Sequence, residues 1–257
     1  MRNLSTRPAL ALAALVLLTV LGVSAWSLLP REEDRRPLGL VTSLPIYWSE
    51  ATSLEGMLAD EQEEHWARAL IEERYLIEPL DTLSSQDKAG HPGDGLAGVD
   101  RLLLAQPNAL PPADLVALDN WLRGGGKALI LADPMLTEHS DFALGDRRRP
   151  QDIAMIDPLL ARWGLALQFD PDQQPGPREA ALTGPVQGEL VVDLPGTLVP
   201  WDGGAVAGEC AIHDGGLLAQ CEVGKGTAIV LADAAILDRE NRGGAAMLEE
   251  LLRAAFE

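Results

Sequence analysis

Short apolar runs alternate with helix-like segments through residues 37–257, and this alternation restricts the fold of the chain more than any other feature. Runs such as 101–105 and 227–232 begin with one polar residue and are otherwise apolar, so both faces of each predicted strand must be covered. Strands that are buried on both faces and separated by helices are typical of a mostly parallel sheet with helices on either side. The sequence therefore predicts an α/β fold of this kind, in which the Pro- and Gly-rich region 170–223 adds an antiparallel elaboration.

Helix punctuation is clearest near the middle of the chain. Two prolines at 111–112 open a segment that three glycines at 124–126 end. Leu115, Leu118 and Leu122 recur at helical spacing within it. We expect this apolar stripe to pack against the sheet.

The first 36 residues differ in character from the rest of the chain. Residues 9–29 are uncharged and mostly Ala, Leu and Val, and about 20 such residues are what a helix needs to cross a bilayer. A cleaved secretory signal ending near Ala25 is one alternative, but the apolar run continues through Trp26, which favours an uncleaved anchor. The prediction is a single-pass protein of an inner membrane, with 1–36 as the anchor and its flanks and 37–257 as a domain facing the periplasm.

The net charge of −19 limits the partners of this domain. An acidic surface repels nucleic-acid phosphates, which argues against a nucleic-acid-binding role. The four histidines share no metal-binding spacing, and we expect them to be solvated. The glycines around Lys225 lack the spacing of a phosphate-binding loop. We therefore expect neither a metal nor a cofactor.

The block 101–134 has a recognisable order of features: a strand ending in Gln-Pro, a helix with the pattern L-x-x-L-x-x-W-L, a Gly triplet, and a strand ending in Asp-Pro. It resembles the auxiliary domain of ABC-type transport systems related to gliding-motility components, within the class I glutamine-amidotransferase-like fold. The segment 223–238 is similar to a late strand of that fold. The resemblance implies a membrane-anchored accessory subunit that meets an ABC-type permease and a separate ATPase subunit.

The same resemblance bears on catalysis. Amidotransferases of this fold carry a Cys nucleophile in a tight turn between a strand and a helix. If 127–132 is the corresponding strand, Asp133 and Pro134 follow it, and neither cysteine of the chain lies there. We therefore expect a protein that is not an enzyme. Two alternatives remain: a solute- or polysaccharide-binding module, and a hydrolase relative with an unrecognised nucleophile.

Two aspartates follow strands that end in the same Leu-Ala-Asp sequence. Asp133 and Asp233 would lie at the carboxyl ends of their strands, where ligands gather in open α/β sheets. Together with Asp238 they form the predicted binding crevice. In the alternative, each aspartate caps the turn that follows it. The arginines at 147–149 are expected to form a solvated loop or to contact an acidic partner.

The two cysteines flank a predicted hairpin. A two-residue turn at Gly215 and Gly216 places Cys210 directly opposite Cys221, as a hydrogen-bonded pair. Opposed residues lie within the range of a disulfide, and an exported domain would keep the bond oxidised. The alternative is a pair of buried thiols in a reducing compartment.

Overall fold

The computed structural model describes residues 35–48, 50, 64–85, 95–204 and 206–257. Its strands in chain order are β1 (Arg36–Thr42), β2 (Tyr75–Pro79), β3 (Arg101–Ala105), β4 (Lys127–Leu131), β5 (Leu165–Gln168), β6 (Arg178–Leu182), β7 (Gly188–Val192), β8 (Thr197–Pro200), β9 (Glu209–His213), β10 (Leu218–Val223) and β11 (Gly226–Leu231). The α-helices of this described part are α1 (Trp66–Glu72), α2 (Pro112–Gly124), α3 (Asp157–Trp163) and α4 (Ala245–Phe256).

Seven of these strands form one mixed sheet in the order β2-β1-β3-β4-β11-β10-β9. The neighbours β1, β3, β4 and β11 run parallel, whereas β10 and β9 continue the sheet antiparallel. The prediction of an α/β fold is thereby confirmed.

The predicted antiparallel elaboration is only partly an extension of this sheet. Strands β9 and β10 belong to it, but β5 pairs with β8 and β6 pairs with β7 in separate two-stranded sheets. Most residues of β6 are exposed, and β7 buries only alternate residues. Such strands have one covered face, which suits a surface hairpin rather than the interior of the sheet.

The core lies in two layers because successive strand residues point to opposite faces of the sheet. Leu103 and Leu129 belong to one layer with residues of α1 and α4. Leu102 and Ile130 belong to the other layer with residues of α2 and α3. Residues Pro37–Glu257 form one compact unit.

Helix α2 follows its sequence pattern closely. It begins at Pro112 and ends before Gly125, whose φ of 119° is readily adopted only by glycine. Leu118 and Leu122 are fully buried, and Leu115 is partly buried against the same layer. The expected packing of the stripe on the sheet is therefore observed.

The predicted membrane location needs correction. Across the described ranges, no helix is long and apolar enough to cross a bilayer; the longest, α2, has 13 residues against the about 20 required. The prediction of a single-pass transmembrane protein with a periplasmic domain is therefore wrong for this part of the chain. The predicted membrane segment, residues 9–29, lies outside the described residues.

Cys210 and Cys221 form a disulfide. They are opposed in the antiparallel register of β9 and β10. Their Cα atoms are 4.0 Å apart, nearer the spacing of a non-hydrogen-bonded pair than the about 5.5 Å of the hydrogen-bonded pair expected from the sequence. Gly215 and Gly216 both have positive φ, as a tight hairpin turn requires.

Candidate functional site

The strand order creates a crevice at the carboxyl ends of β1 and β3. These strands are parallel neighbours, but the chain leaves β1 through α1 towards β2 and leaves β3 through α2 towards β4 on the other side. The two helices cover opposite faces of the sheet, since their buried residues belong to different core layers. Such a reversal of direction is where open α/β sheets place their ligand sites.

A cleft of about 730 Å³ lies at this position. Residues 42–48 line it after β1, Asn108 lines it after β3, and residues at the start of α1 close one side. Phe142 and the arginines at 147–149 form a further wall. Its volume is within the range of small-molecule sites, about 300–1,000 Å³.

Among the described residues that line the cleft, positively charged side chains outnumber negatively charged ones. Four of them are arginines, at positions 68 and 147–149, and two are glutamates, Glu50 and Glu64. The Glu50 carboxylate accepts hydrogen bonds from the Ser140 hydroxyl and the Asp141 N–H, both at 2.7 Å. Glu64 lies 3.5 Å from the Arg68 guanidinium. The cleft is therefore more basic than a chain with a net charge of −19 would otherwise present.

The three consecutive arginines differ in the contacts that their side chains make. Arg148 donates two hydrogen bonds to Asp146 and lies over the Phe142 ring, 4.2 Å from its centre. Arg149 donates to the Phe142 carbonyl at 3.1 Å, and its Nε is 3.4 Å from Asp152 Oδ1 without forming a hydrogen bond. Within the described ranges, Arg147 has no partner and is exposed.

Aromatic side chains form another part of the lining. Tyr47 and Trp48 pack edge to face with ring centres 4.9 Å apart. The Arg68 guanidinium covers the Tyr47 ring at 4.3 Å. Trp48 is 73% exposed, so its ring presents a large apolar surface to solvent.

Gln106 connects the strand ends beneath the cleft. It follows β3 with a φ of 46°, a left-handed conformation that is uncommon outside glycine, and it is fully buried. Its side-chain oxygen accepts from the Asp133 N–H at 2.8 Å, and its amide donates to the Asp133 and Gln151 carbonyls. Its own carbonyl accepts from the N–H and the hydroxyl of Ser43, which follows β1.

The predicted crevice residues Asp133 and Asp233 are buried at adjacent strand ends. Asp133 Oδ1 accepts from the Met135 N–H at 2.7 Å, and Asp233 Oδ1 accepts from the Ala235 N–H at 2.6 Å. Their second oxygens accept from the N–H groups of Ala234 and Asp193. Both carboxylates thus cap turns, and neither lines the cleft.

Burial and mutual repulsion raise the pKa values of these acids. Desolvation raises the pKa of Asp133 to about 6, and it also raises that of Asp233. Burial, followed by the neighbouring Glu138, raises the pKa of Asp238 to about 8. The structure therefore brings the three predicted aspartates close enough to interact. They form no metal site, since no group of metal-binding side chains occurs among the residues that the structure describes.

His65 departs from the prediction that the histidines are solvated. It is buried at the start of α1, where its Nδ1 accepts from the Ala67 N–H at 3.2 Å. Desolvation is the main reason that its pKa falls to about 4, so the ring is neutral at pH 7. His139 is exposed, and His91 lies outside the described residues.

Fold and cleft together define an open α/β-sheet protein with a ligand-type crevice where the strand order reverses. The chain belongs to a family described as ABC-type uncharacterized transport system, whose model matches residues 35–175. The expected resemblance to an auxiliary domain of ABC transport systems is thereby confirmed. No curated protein sequence matches the chain at a significant level.

Several solved structures are similar in outline. The exo-β-1,4-mannosidase Op5Man5 from Opitutaceae bacterium strain TAV5 is 15% identical with a TM-score of 0.46, over 85% of this chain and 36% of the mannosidase. The β-galactosidase from Bacillus circulans sp. alkalophilus is 10% identical with a TM-score of 0.44, over 85% of this chain and 31% of that one. The protein STM1381 from Salmonella typhimurium LT2 is 10% identical with a TM-score of 0.46, over 86% and 96%. The chain thus spans about a third of the length of the two glycosidases.

Proposed function

We propose that the chain is a non-catalytic accessory subunit of an ABC-type transport system, which acts by binding the permease and a separate ATPase subunit. Family membership over residues 35–175 supports the connection with transport. The proposed lack of catalytic activity has separate support from the residues that follow β1 and β3.

The observation that carries the non-catalytic role is the residue at the end of β3. A nucleophile elbow is a strained turn directly after a strand, with the reactive side chain exposed at its apex. Two described non-glycine residues with positive φ directly follow strands of the main sheet, Gln106 after β3 and Asp214 after β9. Asp214 lies in the hairpin between β9 and β10, so Gln106 is the one that lies between a strand and a helix. A glutamine amide is not a nucleophile, and here it is buried and hydrogen-bonded to Asp133 and Gln151. The elbow geometry is therefore occupied by a structural residue.

The hydroxyl that contacts the Gln106 carbonyl also supports the absence of catalysis. Ser43 Oγ donates to the Gln106 carbonyl at 2.5 Å and accepts from the Gln151 N–H at 2.9 Å. An activated serine would instead donate to a general base. Ser43 therefore holds two loops together, which disfavours the hydrolase alternative.

We further propose that the domain is related to the class I glutamine-amidotransferase-like fold and has lost its nucleophile. The crossing of the chain from β1 to β2 on one side and from β3 to β4 on the other supports this relationship. The left-handed residue after β3 supports it as well, because it retains the backbone shape of an elbow without the thiol.

Co-purification tests the accessory role. The full chain, carrying an affinity tag, is expressed in its native host and recovered from a detergent extract, and any ABC-type permease and ATPase recovered with it are identified by mass spectrometry. We expect both partners to be recovered in fixed proportion, and to be lost when the tag is placed on an unrelated protein of similar charge. Recovery of the tagged chain alone, from cells that contain both partners, would contradict the proposal.

A further inference from the structure

We propose that the cleft between the ends of β1 and β3 binds a small molecule that carries a phosphate or carboxylate group on a flat ring. This inference goes beyond the proposed accessory role and does not depend on it, because the ligand site belongs to this chain alone.

The position and size of the cleft are the first argument. It opens where the chain reverses direction across the sheet, and its volume of about 730 Å³ suits a ligand of nucleotide size. The side chains of Asn108 and Ser43 add polar groups at its base. Ligand sites of this kind combine an apolar surface with a few polar groups that fix orientation.

The charge of the lining selects the anionic part of the ligand. Of the four guanidinium groups in the described lining, Arg68 is paired with Glu64 and Glu72, and Arg148 is paired with Asp146. The other two, those of Arg147 and Arg149, keep N–H donors that form no hydrogen bond with an acid among the described residues. Guanidinium groups bind phosphate and carboxylate through two parallel N–H donors, which a single ammonium group does not offer. An anion entering the cleft therefore meets donors that no neighbouring acid fully satisfies.

Two arginines of the arginine wall, residues 147–149, are held in place by contacts within the protein. Arg148 is fixed by Asp146 and by the Phe142 ring, and Arg149 is fixed by the Phe142 carbonyl. The buried Nε of Arg149 still makes no hydrogen bond. Arg147, which precedes them in the chain and also lines the cleft, is exposed and has no partner among the described residues. Fixed side chains lose little conformational entropy on binding, which favours affinity.

The aromatic side of the cleft selects a ring. One face of Tyr47 is covered by Arg68, and its edge contacts Trp48. The Trp48 ring is 73% exposed although it lines a concave site, so it offers a flat apolar surface for stacking. A ligand that joins a flat ring to an acid group would contact Trp48 and the arginine wall together.

Calorimetric titration of the purified full chain tests this inference with two matched pairs of probes. AMP and adenosine differ by a phosphate, and nicotinate and nicotinamide differ by a carboxylate. We expect at least one anionic probe to bind with a dissociation constant at least tenfold below that of its neutral partner. A difference in affinity between AMP and adenosine would indicate a phosphate ligand, and a difference between nicotinate and nicotinamide would indicate a carboxylate ligand. Equal affinity within both pairs, or no binding of any probe at 10 mM, would overturn the proposal.

Substitutions locate the binding. Arg147→Gln removes an exposed guanidinium that supports no other residue, and we expect it to weaken binding of the anionic probe at least tenfold. Trp48→Ala should weaken binding of the same probe by a similar factor. Arg178→Gln, which changes an exposed arginine on β6 outside the cleft, is the matched control and should bind like the parent. An Arg147→Gln protein that binds as tightly as the Arg178→Gln protein would place the anion elsewhere and overturn the proposal.

Discussion

Gln106 is the residue through which three strand ends are joined. It is fully buried, and its backbone and side chain together contact Ser43, Asp133 and Gln151. A buried polar side chain is tolerated when its donors and acceptors are satisfied. Because each of those partners belongs to a different segment, Gln106 fixes the floor of the cleft.

The substitution Gln106→Leu should therefore destabilise the domain. It leaves the buried Asp133 N–H and the half-buried Gln151 carbonyl without the Gln106 side chain as partner, and an unsatisfied buried group costs about 1–3 kcal/mol. We expect the free energy of unfolding in urea to fall by about 2–5 kcal/mol. Gln220→Leu, at an exposed position on β10, is the control and should lose much less. Equal stability of the two variants would show that Gln106 has no such role.

At the residue scale, the residue types at the strand ends could be predicted from the sequence, but the contacts that they make could not. Asp133 and Asp233 were identified from the repeated Leu-Ala-Asp pattern, and capping was one of the two interpretations offered. The burial of Gln106 depends on contacts with residues 43 and 151, which are distant along the chain. Local sequence patterns carry no information on such contacts.

Asp119 ties helix α2 to helix α3. Its carboxylate accepts hydrogen bonds from Arg123 on its own helix and from Arg162 and Trp163 on α3, at 2.8–3.1 Å. Its side chain is only 5% exposed. Burial alone would raise the pKa of Asp119, but these hydrogen bonds outweigh it and lower the pKa below its usual value.

We expect Asp119→Asn to lower the free energy of unfolding at pH 7 by about 1–3 kcal/mol, because the half-buried Arg123 guanidinium and the exposed Arg162 guanidinium both lose hydrogen bonds to an anion. A carboxyl with a lowered pKa stabilises the fold above its unfolded pKa and loses this contribution as the pH falls below it. The difference between variant and parent should therefore shrink below about pH 4. Asp202→Asn, at an exposed site, is the control. A difference that stays constant from pH 7 to pH 3 would contradict this account.

Elements were the most predictable level of the fold. The apolar runs coincide with β3, β4 and β11 almost residue for residue, because strands buried on both faces contain few polar residues. The order of those strands in the sheet could not be predicted in the same way, because it is set by crossovers between distant segments. The crevice between β1 and β3 follows from that order, which is why the sequence pointed to β4 and β11 instead.

At the scale of the whole molecule, a group of four acids with raised pKa values makes stability depend on pH. The pKa values of Asp133 and Asp238 are raised to about 6 and about 8, and those of Asp233 and Glu138 are also raised. The folded state therefore binds more protons than the unfolded state above about pH 4. Their contribution to stability is complete below that pH and is lost as the pH rises through the folded pKa values.

We accordingly expect the free energy of unfolding to decline between about pH 6.5 and pH 8, measured by urea denaturation at constant ionic strength. Below about pH 6.5 the lowered pKa of His65 contributes in the opposite direction, because the unfolded chain then binds a proton that the folded ring does not. Asp238→Asn should flatten part of this decline, because it removes the group whose pKa is raised to about 8. Asp202→Asn should decline as steeply as the parent. If the Asp238→Asn protein also declined as steeply, the pH dependence would have to come from other groups.

The bond between Cys210 and Cys221 has a consequence for how the sheet comes apart. A strand at the edge of a sheet can normally peel away and offer its free backbone to another chain. Here β9 stays covalently joined to β10 even when the hydrogen bonds between them break, so this edge opens only as a closed loop. The opposite edge, β2, has no covalent tie, because the chain contains only these two cysteines. Under oxidising conditions β9 therefore cannot separate alone as a free edge strand, and reduction would remove that restriction.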